Sequence, residues 1–270
     1  MTPQEFFAHC WHDYTAMAPQ AAVIHQAFAD EGETVVNDHV AFRTLALEPL
    51  RLHNLQTHLL ALGYQPAGSY RFEAKLLEAT GYVHADPDLP RVFVSELLVD
   101  ELSDAAAAIL RRCAAAVDPA RLSTPSVMWA GRLWPTITSE EYDLLAAESE
   151  YAAWVATIGL RPNHFTISIN HLHSYPDVES VLQRVESLGF AINDSGGRVK
   201  GSPAVLLEQG STMADRMPVV LADDAVRELP TCYYEFALRH RDSDGQLFQG
   251  FVAASADRIF ESTDRGDDDE

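Results

Sequence analysis

An internal repeat restricts the folding of this chain more than any other feature. Asn37 to Leu45 (NDHVAFRTL) and Asn163 to Asn170 (NHFTISIN) each place a histidine at the head of an alternating apolar run. After the first run the chain passes Pro49 and shows leucines at 52, 55, 59 and 62. After the second it passes Pro176 and shows apolar residues at 178, 181, 185 and 188. That 3-4-3 spacing predicts an amphipathic helix in each half. Both helices stop on the same punctuation, Leu62-Gly63-Tyr64 and Leu188-Gly189-Phe190. Strand-like segments follow: YRFEAKLLEA and RVFVSELLV in the first half, and GGRVKGS, AVLLEQGS and TCYYEFALRH in the second. Turn-rich HADPDLP separates the first pair, and polar, Pro-containing connections separate the others. Each half reads strand–helix–strand–strand–strand.

Side chains alternate faces along a strand, so His39, Ala41 and Arg43 share one face while Val40 and Phe42 share the other. Likewise His164, Thr166, Ser168 and Asn170 oppose Phe165, Ile167 and Ile169. One greasy face suits packed helices; two polar faces closing on each other make a half-open barrel. The expectation is an α+β fold in a single domain over 1–263. Helices occupy 1–35, the first βαβββ repeat 36–100, a helical insertion packed on the outside 101–160, and the second βαβββ repeat 161–263. An acidic tail ends the chain at 264–270. Within the insertion, DELSDAAAAILRRCAAAV and TSEEYDLLAAESEYAAWVATIG read as helices, with Thr138 or Ser139 as N-cap of the second.

Composition excludes several classes of function. With 270 residues and 47% hydrophobic content the chain can bury a large core. No apolar run approaches the roughly 18–20 residues that span a bilayer, and the N-terminus lacks the pattern of a signal peptide. Three scattered cysteines support neither a disulfide framework nor a cysteine zinc site, so a reducing cytoplasm is expected. Forty acidic residues against 19 basic ones give a net charge of −21, which opposes nucleic-acid binding and docking on anionic lipid. An anionic ligand would need a local positive device, which directs attention to Arg43 inside a strand.

Two first-strand histidines related by pseudo-symmetry can converge on one point, and a metal there needs a third ligand. Glu235, mid-strand between Tyr234 and Phe236, is the best candidate, because a buried lone carboxylate is costly without a compensating cation. Glu96 in VFVSELLV is its first-repeat counterpart and competes. Two histidines and a carboxylate suit a non-haem ferrous ion with open positions, and zinc accepts the same set. His9 and His12 on the first helix, and His171 and His173 in NHLH, read as surface or loop residues. Arg43, two pleats along from His39, suits bidentate capture of a carboxylate or an ion pair with Glu96.

HVAFRTL, RVFVSELLV, NHFTISIN, STMADRMPV and YYEFALRH…LFQGFVAASADRIFEST together resemble the DUF1338 family of the vicinal oxygen chelate superfamily, over nearly the whole chain. That family is associated with 2-oxoadipate dioxygenase/decarboxylase, also called hydroxyglutarate synthase. The resemblance implies Fe(II) held by His39, His164 and Glu235, with zinc, nickel or manganese acceptable as isolated. It implies Arg43 on a substrate carboxylate, with Lys75, Glu96, Gln209 and Tyr234 as pocket residues. The implied reactants are a small anionic 2-oxo acid and O2. 2-Oxoadipate would give 2-hydroxyglutarate and carbon dioxide, a step of lysine catabolism. Relatives carrying that activity are longer, so the metal site transfers more directly than the substrate. A non-redox lyase, isomerase or hydrolase of the glyoxalase-like superfamily and a non-catalytic small-molecule binder remain alternatives, and a homodimer is left open.

Overall fold

The computed structural model describes residues 1–263; the tail expected over 264–270 lies outside the described residues. Helix α1 (Pro3–Met17) begins with a reciprocal cap: Thr2 accepts from the Glu5 amide, and Glu5 accepts from the Thr2 amide. Helix α2 (Pro19–Asp30) follows directly. The first repeat comprises β1 (Asn37–Leu45), α3 (Leu52–Ala61), β2 (Gln65–Phe72), β3 (Leu77–Val83) and β4 (Arg91–Leu97). Between the repeats lie α4 (Asp104–Ala115), α5 (Ser139–Glu148) and α6 (Glu150–Ile158). The second repeat comprises β5 (Pro162–Ser168), α7 (Val178–Ser187), β6 (Lys200–Ser202) and β7 (Leu207–Ser211). A hairpin of β8 (Arg216–Val220) and β9 (Val226–Pro230) precedes β10 (Tyr233–Arg239), and α8 (Ala253–Ile259) follows.

Both repeats join one eight-stranded sheet in the order β2-β3-β4-β1-β5-β10-β7-β6. The halves have the same internal order and meet where β1 and β5 run antiparallel. In each half the last strand runs parallel to the first, β4 beside β1 and β10 beside β5, a connection that requires a crossover helix. The repeated Leu-Gly-aromatic stop works as anticipated. Gly63 and Gly189 take φ of 92° and 94°, and the next amide returns to the helix, Tyr64 to the Leu59 carbonyl at 3.1 Å and Phe190 to that of Val185 at 3.4 Å.

The sheet curls into a half-barrel. Its convex face carries the greasy set: Phe165 lies 5.1 Å from Trp11 and 5.0 Å from Tyr14 of α1, and Phe42 lies 6.5 Å from Phe6. Its concave face carries the histidines.

Four local expectations are corrected. YRFEAKLLEA does not form a single strand, because a tight 3₁₀ turn at Glu73–Lys75 divides it between β2 and β3; the equivalent turn of the second half, Pro203–Val205, falls between β6 and β7, at the head of AVLLEQGS. Each turn ends on a leucine with positive φ, 55° at Leu76 and 65° at Leu206, so the repeat is more faithful than its residues reveal. The long helix expected from residue 138 breaks at Ser149, whose extended backbone ends α5 and whose hydroxyl caps α6. Of the two caps expected, Thr138 is the one that caps α5, in a box with Glu141. The insertion does not pack wholly outside either: every residue of α6 from Tyr151 to Ile158 is buried. Finally, the stretch read as a polar connection before TCYYEFALRH forms the β8–β9 hairpin. Helix α8 touches both end strands, β2 and β6, and lies across the concave face.

Candidate metal centre

Strand register assembles the site. His39 pairs with Thr166 across β1–β5, and Thr166 pairs with Glu235 across β5–β10, so these three form a row over three strands. His164 stands in the next row, between Ala41 and Tyr233. Period-2 alternation turns all of them to the concave face. The ligand atoms of His39, His164 and Glu235 lie within 4.8 Å of one another, and all three residues are buried. His39 Nε2 is 3.4 Å from Glu235 Oε1, and His164 Nε2 is 3.2 Å from Glu235 Oε2.

The far side of each ring is held by its preceding neighbour. His39 Nδ1 lies 2.8 Å from Asp38 Oδ2, and His164 Nδ1 lies 3.1 Å from Asn163 Oδ1. These acceptors call for protonated Nδ1 atoms, which leaves the Nε2 lone pairs aimed at a carboxylate. Thr166 Oγ1 sits 3.1 Å from His39 Nε2, and Gln209 Nε2 donates to Glu235 Oε1 at 2.6 Å. Glu235 Oε2 is buried with no hydrogen-bond donor among the described residues. Two lone pairs and a carboxylate oxygen with no donor among the described residues, converging in a buried pocket, are an arrangement that a cation resolves. The donor set therefore fits a divalent metal.

The electrostatics agree. Burial raises the Glu235 pKa, with the His39 charge and the Gln209 bond opposing. Burial, then the charges of His39 and Arg43, push His164 well below the usual imidazole range. Burial would also raise Asp38, but Arg239 and His39 outweigh it and hold the carboxyl far below its ordinary value.

Arg43 is buried, and its Nη1 and Nη2 both donate to Thr263 Oγ1, at 3.1 and 3.2 Å. The guanidinium carbon lies 5.0 Å from the ring centroids of Tyr151 and Trp154 and 5.5 Å from that of Phe260. Four residues of extended strand separate it from His39 by roughly 13 Å. It lines not the metal chamber but an adjoining recess of about 190 Å³, shared with Lys75, Tyr151, Phe260 and Thr263. The chamber itself holds only about 20 Å³ and is covered by Phe251, Ala256, Ile259 and Phe260.

Two expected site residues lie elsewhere, for one reason of strand parity. Glu96 pairs with Thr44, not with the odd-numbered residues of β1, so it turns to the convex face. There its Oε2 accepts from the Leu52 amide at 2.8 Å, at the start of α3, and it is neither a ligand nor the partner of Arg43. Tyr234 also faces outward, its hydroxyl 3.3 Å from His25 Nδ1. The chamber tyrosine is Tyr233, stacked on His164 with centroids 4.6 Å apart. Asp38, Asn163 and Arg239 were missed; an acceptor side chain immediately before each histidine was the available signal for the first two.

A curled sheet of paired βαβββ repeats, with two histidines and a glutamate meeting on its concave face, defines a glyoxalase-like metalloenzyme fold. A family profile described as 2-oxoadipate dioxygenase/decarboxylase matches residues 11–128 and 123–245. The chloroplastic 2-oxoadipate dioxygenase/decarboxylase of Arabidopsis thaliana is 34% identical over 250 residues, 84% of this chain and 67% of that protein. The chloroplastic/amyloplastic one of Oryza sativa subsp. japonica is 33% identical over 276 residues, 93% of this chain and 75% of that protein. The chain belongs to the 2-oxoadipate dioxygenase/decarboxylase family. Among solved structures, the hydroxyglutarate synthase of Oryza sativa in complex with 2-oxoadipate superposes with a TM-score of 0.90 at 31% identity, over 97% of this chain and 91% of that one. A protein from Shewanella frigidimarina NCIMB 400, carrying a provisional hydrolase label, gives 0.88 at 45% identity, over 93% and 98%. A glyoxalase-superfamily protein from Ralstonia eutropha JMP134, at 24% identity over 92% of this chain and 85% of that one, gives 0.78 and shows the shared fold.

Proposed function

We propose that this protein is an Fe(II)-dependent dioxygenase and decarboxylase of a 2-oxo dicarboxylic acid, converting 2-oxoadipate and O2 to 2-hydroxyglutarate and carbon dioxide. The carrying observation is the His39–His164–Glu235 cluster with its bare Glu235 oxygen, in a chain belonging to this family. A ferrous ion held by those three residues would supply the open positions for a 2-oxo acid and the electrons for oxygen activation. Both oxygen atoms stay in the products, one in the new carboxylate and one in the hydroxyl.

The chain's own residues supply binding and order. Asp38 and Asn163 fix the tautomers and ring planes of the two histidines. Gln209 holds Glu235 to one rotamer. Arg43 is a buried positive charge in the recess beside the chamber, with hydroxyl contacts to Thr263 and no ion pair among the described residues, so a substrate carboxylate is the partner it suits. Phe251, Ile259 and Phe260 exclude water from the reacting end. Lys75 lies on the recess wall, where it adds positive charge for a dianion. Three free, buried cysteines suit a reducing compartment such as the cytoplasm, and the substrate suits lysine catabolism.

The test is anaerobic loading of metal-free protein with Fe(II), addition of 2-oxoadipate, and measurement of oxygen uptake and product. One O2 consumed per 2-hydroxyglutarate formed is the expected result. Full iron occupancy without oxygen uptake on any of several 2-oxo diacids would sink the proposal. The hydrolase label of the Shewanella frigidimarina relative favours a second reading, non-redox chemistry with zinc. Turnover with zinc under argon would select it.

A further inference from the structure

We propose that Arg239 is a positioning residue that joins the metal ligand His39 to the strap covering the metal chamber, so that ligand geometry and closure of the chamber are set together. The inference rests on reading the histidine–glutamate cluster as a metal site.

Arg239 is the last residue of β10, and its side chain is fully buried. One edge of the guanidinium grips Asp38: Nε donates to Oδ1 at 2.8 Å and to Oδ2 at 3.0 Å, and Nη2 donates to Oδ2 at 2.9 Å. The same Oδ2 accepts from His39 Nδ1. The other edge holds the strap, since Nη1 donates to the carbonyls of Phe248 at 3.1 Å and Gly250 at 2.7 Å. The next residue, Phe251, lies edge-on to the His39 ring, with centroids 5.0 Å apart and planes at 87°. It also packs 4.8 Å from Phe93 and lies under the guanidinium, 5.5 Å away. The Arg239 guanidinium therefore holds both the carboxylate that aims the ligand and the two carbonyls that seat the ring covering it, while Arg91 makes only a longer contact to Asp38, 3.4 Å from Oδ1, and reaches the strap through the Gln249 side chain.

A purely stabilising role would not call for this chemistry, because apolar residues of equal volume fill a buried site at least as well as an ion pair. The forked donor set is what a two-sided clamp requires, and lysine, a single point charge, cannot reproduce it. Metal on His39 Nε2 makes the Nδ1 proton a stronger donor to Asp38, which tightens the clamp and through it the strap.

The test uses the full chain, first freed of metal and then titrated with Co(II), with amide hydrogen exchange followed by mass spectrometry. In the wild type, metal is expected to slow exchange across residues 248–260 severalfold, beyond the strands that carry the ligands. Arg239→Lys is expected to weaken Co(II) affinity by about ten- to a hundredfold and to abolish the metal-induced protection of 248–260. An Arg239→Lys protein that melts earlier yet keeps wild-type affinity and strap protection overturns the proposal. If that variant does not fold, the wild-type exchange comparison decides alone. Metal uptake that protects the ligand strands but not 248–260 overturns this inference and leaves the metal site standing. Failure of the wild type to take up metal overturns both.

Discussion

Phe93 holds the place in the first repeat that Glu235 holds in the second. Glu235 stands two residues beyond Tyr233, the β10 partner of His164; Phe93 stands two residues beyond Arg91, the β4 partner of His39. Duplication thus delivers two histidines to the centre but one carboxylate, and the spare position is filled by an aromatic that packs on Phe251. Glu96, three residues further on, has the wrong parity to replace it.

Glu96→Gln should therefore leave metal stoichiometry unchanged while costing stability. The lost charge on the Leu52 amide, at the positive end of α3, is worth about 0.5–1 kcal/mol. Glu235→Ala should lose stoichiometric metal. Calorimetric titration with Co(II) beside a urea melt separates the two; a Glu96 variant that binds no metal would refute the parity argument.

Glu235→Gln makes an opposite prediction for the metal-free protein. Burial raises the Glu235 pKa above its ordinary 4.5, so stability falls as pH climbs from that ordinary value through the raised one and stays low above it. The wild type is then relatively most stable at low pH and loses that advantage as pH rises, whereas the amide does not titrate. Metal-free Glu235→Gln should be the more stable protein at pH 8, by about 1–3 kcal/mol, and the gap should shrink toward pH 4.5. Saturating metal should reverse the order, because only the wild type gains binding energy. Denaturant melts at the two pH values check this; a destabilised metal-free amide variant contradicts it.

Much of this was legible in the residues, and the rest was hidden for identifiable reasons. His39, His164 and Glu235 could be found because a duplicated histidine and a lone mid-strand carboxylate are local signals. Glu96 and Tyr234 misled because a period-2 pattern gives the wrong face whenever register is off by one, and only strand pairing fixes register. The 3₁₀ turns before Leu76 and Leu206 have no residue signature, since leucine is a poor candidate for a left-handed backbone. Arg239 was invisible because its partners, Asp38 and the 248–250 carbonyls, are distant in sequence on one side and backbone atoms on the other.

Arg43→Lys should keep the metal and lose substrate grip. The guanidinium sits in an aromatic box of Tyr151, Trp154 and Phe260, a shape that a primary ammonium does not fill. It also forfeits the bidentate geometry, so affinity for 2-oxoadipate should fall by about tenfold or more. Anaerobic titration of the metal-loaded protein with 2-oxoadipate gives the number, and unchanged affinity would remove Arg43 from the substrate site.

Neighbouring residues on β5 should divide stability from metal binding. Phe165 is fully buried on the convex face against Trp11 and Tyr14, so Phe165→Ala leaves a cavity worth about 3–5 kcal/mol. Its ring makes no contact with the chamber, and the folded fraction should still bind one metal. His164→Ala removes a ligand from the concave face instead. It should abolish stoichiometric binding while costing the metal-free protein far less, because the lost ring is a neutral imidazole whose pKa burial and nearby charges have driven down. Melting curves and metal titrations of both variants should cross: one unstable and competent, the other stable and empty. If Phe165→Ala abolishes metal binding in its folded fraction, the two faces of the sheet are not independent, and the division of labour drawn from strand alternation fails.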